Sequence, residues 1–237
     1  GGMFPMLPMA NRVAGNRFIF QGREIVLPRH HADAHFFLHG DGWLQRWDII
    51  ARDGDYCVLQ LRRQHACGFD YLAQIRYQLL RNQLVAALTL THCGSTPIPY
   101  GCGFHPFFPF DKRGTVQFAA AGYWPEGEQH LPLGWQGQLP GYADFSHAQY
   151  GEDRWLNVGY SGWSGRARVS SDVMDITILS QTPWLMLFRM QGEPFLCLEP
   201  QSHPVNAHNM DGQPGLRVLG AGDTLSFSLK IDVQGRE

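Results

Sequence analysis

Charge is scarce in this sequence. Only 17% of its 237 residues are Asp, Glu, Lys or Arg, and the formal net charge is −2. No basic run or Lys/Arg-rich stripe occurs, and clustered cations are what phosphate neutralisation requires, so nucleic acid is excluded as a partner. Long apolar runs are also missing. None approaches the ~20 residues of a membrane-spanning helix, so no membrane partner is expected. The five cysteines (Cys57, Cys67, Cys93, Cys102 and Cys197) are odd in number, scattered and without C-x-x-C spacing. That pattern excludes a disulfide framework or zinc ribbon and fits a reducing cytoplasm. No secretory signal is legible, and the opening Gly1-Gly2-Met3-Phe4-Pro5 reads as mid-domain sequence. Amphipathic helical periodicity, internal repeats, low-complexity tracts and linkers are all absent.

What is present is apolar and turn-rich: 44% hydrophobic and 13% aromatic residues, with 27 Gly and 15 Pro. An apolar content of this size excludes a disordered chain. Many short strands joined by tight turns fit the remainder. Period-two alternation is clearest in Leu225-Ser226-Phe227-Ser228-Leu229-Lys230-Ile231, a half-buried antiparallel strand. Tyr71, Ala73, Ile75, Tyr77 and Leu79 alternate in the same way. Leu84 to Leu90 follows after Arg81-Asn82-Gln83, which predicts a hairpin. Further strands are expected at Cys57 to Leu61, Val116 to Ala120, Arg166 to Val169, Met174 to Leu179, Trp184 to Met190 and Phe195 to Leu198. The expectation is one all-β domain over residues 1–237, a sandwich or barrel.

Four polar patches stand out against this framework. Asn11-Arg12 follows a Pro-rich stretch, and an Arg there can offer a planar fork of donors to a substrate oxygen or be an ordinary surface residue. His30, His31, His35 and His39 invite a metal reading, but no Cys or carboxylate stands at ligand spacing. A loop that places His39 in a pocket is the preferred reading, with no metal and no cofactor. His105, among the aromatics and prolines of Gly103-Phe104-His105-Pro106-Phe107-Phe108-Pro109, is rigidly held and partly desolvated. It suits proton transfer near neutral pH, or else is a buried structural histidine. Glu199 ends the apolar run Phe195-Leu196-Cys197-Leu198. Burial there would raise its pKa into the range of a general base, and the alternative is a capping ion pair.

Taken in order, these patches resemble the aldose 1-epimerases, the galactose mutarotases. The carriers are Asn11-Arg12, His39-Gly40-x-Gly42-Trp43, Gly103-x-His105-Pro106-Phe107-Phe108 and Glu199-Pro200. Pro97-Ile98-Pro99-Tyr100-Gly101 and Asn206-x-x-Asn209 look like family sequence too. The resemblance covers nearly the whole chain and implies an antiparallel β-supersandwich of the galactose mutarotase type, with an open cleft. It implies cofactor-independent interconversion of α and β anomers of a small-molecule sugar such as glucose or galactose. His105 would protonate the ring oxygen and Glu199 would take the C1 hydroxyl proton, with His105 held protonated beside an ionised Glu199. Arg12 and His39 would hold the ring oxygen and hydroxyls, and Trp43, Phe107 and Trp163 are candidate stacking platforms.

Three departures accompany the resemblance. Asn157 stands where the family usually has a sugar-binding Asp, and an amide both donates and accepts without charge. His92-Cys93-Gly94 replaces the usual Asn-x-Gly. The N-terminal strands that usually precede the Asn-Arg loop are not seen, which predicts an open sheet edge and pairing with a second copy, or lower stability. Two alternatives are a hexose 6-phosphate mutarotase, drawing on Arg46, Arg62, Arg63 or Arg76, and a non-catalytic sugar binder or sensor.

Overall fold

The computed structural model describes residues 2–236, and they are almost entirely antiparallel strand. In chain order the first strands are β1 (Met3–Met6), β2 (Arg17–Phe20), β3 (Arg23–Val26), β4 (Asp48–Arg52), β5 (Tyr56–Gln64), β6 (Asp70–Leu80) and β7 (Gln83–His92). Next come β8 (Ile98–Tyr100), β9 (Gly103–Pro109), β10 (Thr115–Phe118), β11 (Gly122–Trp124), β12 (Gln149–Tyr150) and β13 (Leu156–Ser161). The last are β14 (Arg166–Ser170), β15 (Met174–Leu179), β16 (Trp184–Arg189), β17 (Phe195–Gln201), β18 (Arg217–Leu219) and β19 (Thr224–Gly235). Helix is limited to short 3-10 turns among the described residues.

Two large sheets form the sandwich. One has six strands in the order β1-β9-β17-β16-β13-β11, the other nine in the order β12-β10-β14-β15-β19-β7-β6-β5-β4. Aromatics meet between them: Phe104 of β9 lies 6.1 Å from Phe227 of β19, and Phe118 of β10 meets Tyr160 of β13 edge-on at 4.8 Å. The alternation read from the sequence explains the nine-stranded sheet. Tyr71, Ala73 and Ile75 are buried, as are Leu225 and Leu229. Leu79 departs from that pattern, because β6 runs past the core and leaves it 58% exposed. The expected hairpin turns at Arg81-Asn82, with Leu80 opposite Gln83 and Arg81 at φ +56.

The six-stranded sheet is the less legible one. β1 and β9 contain prolines, which have no N–H for a ladder and normally signal an edge or a loop. β13 is buried on both faces and shows no alternation. One strand, β1, does precede the Asn11-Arg12 loop. It pairs with β9, placing Phe4 opposite His105. This sheet turns one face to the core and the other to the cleft. By cross-strand register, Phe4, His105, Glu199, Met186, Phe188 and Asn157 share the cleft side.

The candidate active site

β9 and β17 pair from Phe195↔Pro109 to Cys197↔Phe107 and again at Gln201↔Gly103, with a lapse between. Phe107 donates its N–H to Gly2 O on the β1 side, so the even-numbered residues of β9 face β17. Pro106 and Pro200 therefore stand where the two strands should exchange N–H donors, and neither has one. His105 and Glu199 face each other inside the lapse. His105 Nε2 lies 3.1 Å from Glu199 Oε1, and both side chains are buried.

Aromatics desolvate this pair. The His105 ring stacks on Phe4 at 4.5 Å and on Phe107 at 4.8 Å, and Phe4 in turn stacks on Trp43 at 4.9 Å. Burial pushes Glu199 up to about 8, partly offset by the charge of Arg12. Burial likewise pushes His105 down to about 3. Burial thus opposes charge on each group, which favours the proton on the carboxyl side of the empty site. In the empty site this direction runs against a protonated His105 beside an ionised Glu199. The cause in both cases is desolvation, which penalises the charged form of each. Glu199 Oε2 and His105 Nδ1 are buried without a hydrogen-bond partner.

His39 reaches the same point from a loop. Its ring lies 5.3 Å from the His105 ring, nearly perpendicular to it. Asn11 and His39 both adopt left-handed φ, at +59 and +57, and hold each other. The His39 N–H donates to Asn11 O at 2.9 Å, and the Asn11 N–H donates to His39 Nδ1 at 3.1 Å. Such strained backbone persists only where its surroundings over-determine it. Here Gly40, at φ +65, lets the loop approach Leu7 so closely that a Cβ would lie 2.1 Å from Leu7 O. Behind the loop, Asp41 is buried against Arg63, His65 and the Tyr71 hydroxyl. Burial favours its neutral form, but His65 and Arg63 outweigh that and hold the carboxyl below its usual range.

With Nδ1 accepting from Asn11, a neutral His39 carries its proton on Nε2 and is a donor. Burial lowers its pKa well below the usual value, with His105 and Arg12 adding to the effect. One ligand atom each from His39, His105 and Glu199 falls within 4.8 Å of the others. Metal ligation through His39 would cost the Asn11 hydrogen bond, because neither nitrogen has a free lone pair in this tautomer. The other members of the histidine run stand apart. His30 spans Ala32 N–H and Leu38 O, while His31 and His35 are exposed.

Arg12 also lines the cleft. Its Nη1 donates to Asn11 Oδ1 at 3.2 Å, and its buried Nε has no partner in the protein. The Asn206-x-x-Asn209 motif explains the loop's position: Asn206 N–H donates to Arg12 O, and Asn206 Oδ1 accepts from Ala14 N–H. Asn209 adds donations to the Ala14 and Arg17 carbonyls.

Asn157, on β13, forms the opposite wall together with Trp155, His130 and Phe188. The whole cleft is open and has a volume of about 300 Å³. Asn157 Nδ2 donates to Glu126 Oε1 at 2.6 Å. A carboxylate therefore stands at this wall after all, brought by the segment after β11. Sequence reading missed Glu126, His130 and Phe188 as site residues; they lie in segments without a motif. Trp43 and Phe107 line the cleft as expected. Trp163 does not: it is buried in the core. His92 is outside the site, held by Tyr100 and the carbonyls of Asp70 and Thr96. Of the four arginines weighed for a phosphate, Arg62 is paired with Asp70, Arg63 with Asp41, Arg76 lies over the Tyr56 ring and Arg46 is exposed; none lines the cleft.

Comparison with known proteins agrees with this architecture. The sequence model of the aldose 1-epimerase family matches residues 3–232. YphB, an uncharacterized protein of Escherichia coli K12, is 35% identical over 98% of this chain and 83% of its own length. The crystal structure of a candidate aldose 1-epimerase from Escherichia coli K12 superposes with a TM-score of 0.94 at 33% identity, covering all of this chain and 84% of that one. The GalM/aldose epimerase homologue of C. elegans shares the fold at 17% identity, with a TM-score of 0.81 over 98% of this chain and 82% of its own. This chain belongs to the aldose 1-epimerase family.

Proposed function

We propose that this protein is a mutarotase that interconverts the α and β anomers of a free aldose such as glucose or galactose. The observation that carries the reading is the buried His105–Glu199 pair, 3.1 Å apart on the floor of an open cleft. Ring opening moves one proton from the C1 hydroxyl to the ring oxygen and returns it on closure, with no net gain or loss. A pair that holds a single proton is matched to that task, and each well-placed group contributes ~10²–10⁴-fold.

In this reading the sugar replaces the direct contact between the two groups. The shared proton passes to His105 Nε2, which gives it to the ring oxygen as the C1–O5 bond breaks. Glu199 takes the proton from the C1 hydroxyl, and the C1 carbonyl forms. Rotation about C1–C2 presents the other face, and the transfers run in reverse. Arg12 supports the transient carboxylate charge, and His39 donates through Nε2. Phe4, Trp43 and Phe107 keep bulk water from the pair, which strengthens each electrostatic contact.

The free-sugar reading is favoured over a phosphosugar because Arg46, Arg62, Arg63 and Arg76 stand outside the cleft. We place the reaction in the cytoplasm, a location supported by five unpaired cysteines. The test is to follow the approach to anomeric equilibrium of α-D-glucose and α-D-galactose by polarimetry. Acceleration that collapses in both His105→Asn and Glu199→Gln supports the reading. Acceleration that survives both sinks the site assignment. No acceleration with either sugar sinks the activity.

A further inference from the structure

The wall opposite Arg12 holds a second carboxylate with unusual support. Glu126 Oε1 accepts from Asn157 Nδ2 at 2.6 Å and from His130 Nδ1 at 2.5 Å, while Oε2 accepts from Trp155 Nε1 at 2.7 Å. A carboxylate only accepts, and it offers about four lone-pair positions. Three are filled, which leaves one on Oε2. The Glu126 side chain is 23% exposed, at a narrow side recess that shares Asn157 and His130 with the main cleft.

Glu126 also dictates the orientation of its neighbour. The two ends of an amide are told apart by their partners. Facing a carboxylate, Asn157 must present its NH₂, so its Oδ1 is turned the other way. That oxygen has no hydrogen-bond partner among the described residues. The wall thus offers two acceptors and no cation: Asn157 Oδ1, and the last lone pair of Glu126 Oε2 at the side recess. The hydroxyls of a neutral sugar, which donate, satisfy such acceptors. A carboxylate or phosphate on the sugar would meet charge of its own sign.

We propose that Glu126 is a specificity-determining residue, which locks Asn157 as an acceptor for the hydroxyls of a neutral aldose and disfavours an anionic sugar. The proposal rests on the mutarotase reading for the identity of the cleft's ligand.

The test uses Glu126→Gln, Asn157→Asp and the double variant, with glucose and glucuronate as probes. KM and kcat come from polarimetry, and equilibrium binding comes from tryptophan fluorescence, which Trp43 and Trp155 at the cleft should report. Glu126→Gln should raise KM and Kd for glucose at least ~10-fold, the order expected for a lost charge-assisted hydrogen bond, with kcat little changed. Its preference for glucose over glucuronate should shrink. Asn157→Asp alone should bind glucose as poorly, since it sets two carboxylates against each other. The double variant should recover binding to within ~3-fold, a non-additivity that a merely structural role would not produce. An unchanged KM in Glu126→Gln, or a double variant no better than the singles, overturns the proposal. If the wild type binds glucose without accelerating mutarotation, the mutarotase reading fails, and the fluorescence titrations still decide the role of Glu126. Absence of saturable binding by the wild type overturns both.

Discussion

His105 and Glu199 face each other at the one stretch of β9 and β17 where the backbone ladder lapses, and the prolines that follow each of them cause the lapse. The same two-residue signature, a titratable side chain followed by proline, occurs on both strands. It removes one backbone donor from each strand, and the acid–base contact lies within the gap. A desolvated pair of this kind costs stability and is retained for what it does.

The pair predicts the pH profile. Between a His105 held at about 3 and a Glu199 held at about 8, the empty site keeps one proton. The pH dependence of kcat/KM reports the free protein. It should be flat from pH 5 to 7 and fall above about 8, as the pair loses its proton. An acid limb at the ordinary histidine value of about 6.5 would show that His105 is not desolvated as described.

Glu199→Gln should trade activity for stability. The folded pKa of Glu199 is raised, so between its usual value and about 8 the folded chain keeps a proton that the unfolded chain has released. Stability linked to this group is present at low pH and lost as pH rises to about 8. Glutamine has no such penalty. The melting temperature of the variant, relative to the wild type, should therefore climb between pH 5 and 9, by about 2–4 °C for each kcal/mol recovered. A difference that does not change with pH would contradict it.

Acid should unfold the protein through its buried histidines. Besides His105, burial holds His203 down to about 4 and His208 down to about 3. Their folded pKa values are depressed, so this stability is present above the unfolded value of about 6.5 and lost as pH falls towards 3–4. Each contributes a slope of about 1.4 kcal/mol per pH unit within its window. His208 lies 4.6 Å from Phe18, and both its ring nitrogens are buried without partners. Urea titrations of His208→Phe at pH 7 and pH 5 should show a shallower dependence than the wild type. An equal dependence would mean that His208 is charged in the fold.

Arg12→Lys should raise KM and lower kcat, because a lysine cannot present a planar fork and Glu199 would lose support for its charge. A loss of about 10-fold or more in kcat/KM corresponds to one charge-assisted contact. Unchanged kinetics would return Arg12 to the role of a loop residue.

The homodimer expected from an open sheet edge has a candidate edge in β4. It ends the nine-stranded sheet with Ile49 57% and Ile50 47% exposed. Sedimentation velocity over a range of concentrations should show a dimer that Ile49→Lys dissociates. A monomer at all concentrations would remove the expectation.

The sequence alone determined the all-β class, the alternating strands of the nine-stranded sheet and the ordered set of Arg12, His39, His105 and Glu199. These are local signals: period two reads directly as one buried face, and motifs carry their own spacing. Only the tertiary structure decided the rest. β1 and β9 are strands although prolines mark them as loops, because their neighbours complete the sheet around the missing donors. The desolvation of the His105–Glu199 pair follows from how Phe4 and Phe107 pack against His105, which no spacing reveals. Glu126 reaches Asn157 across 31 positions of chain. A contact of that separation exists only once β11 and β13 pair, so the second carboxylate, beside the cleft, is a property of the fold and not of any motif.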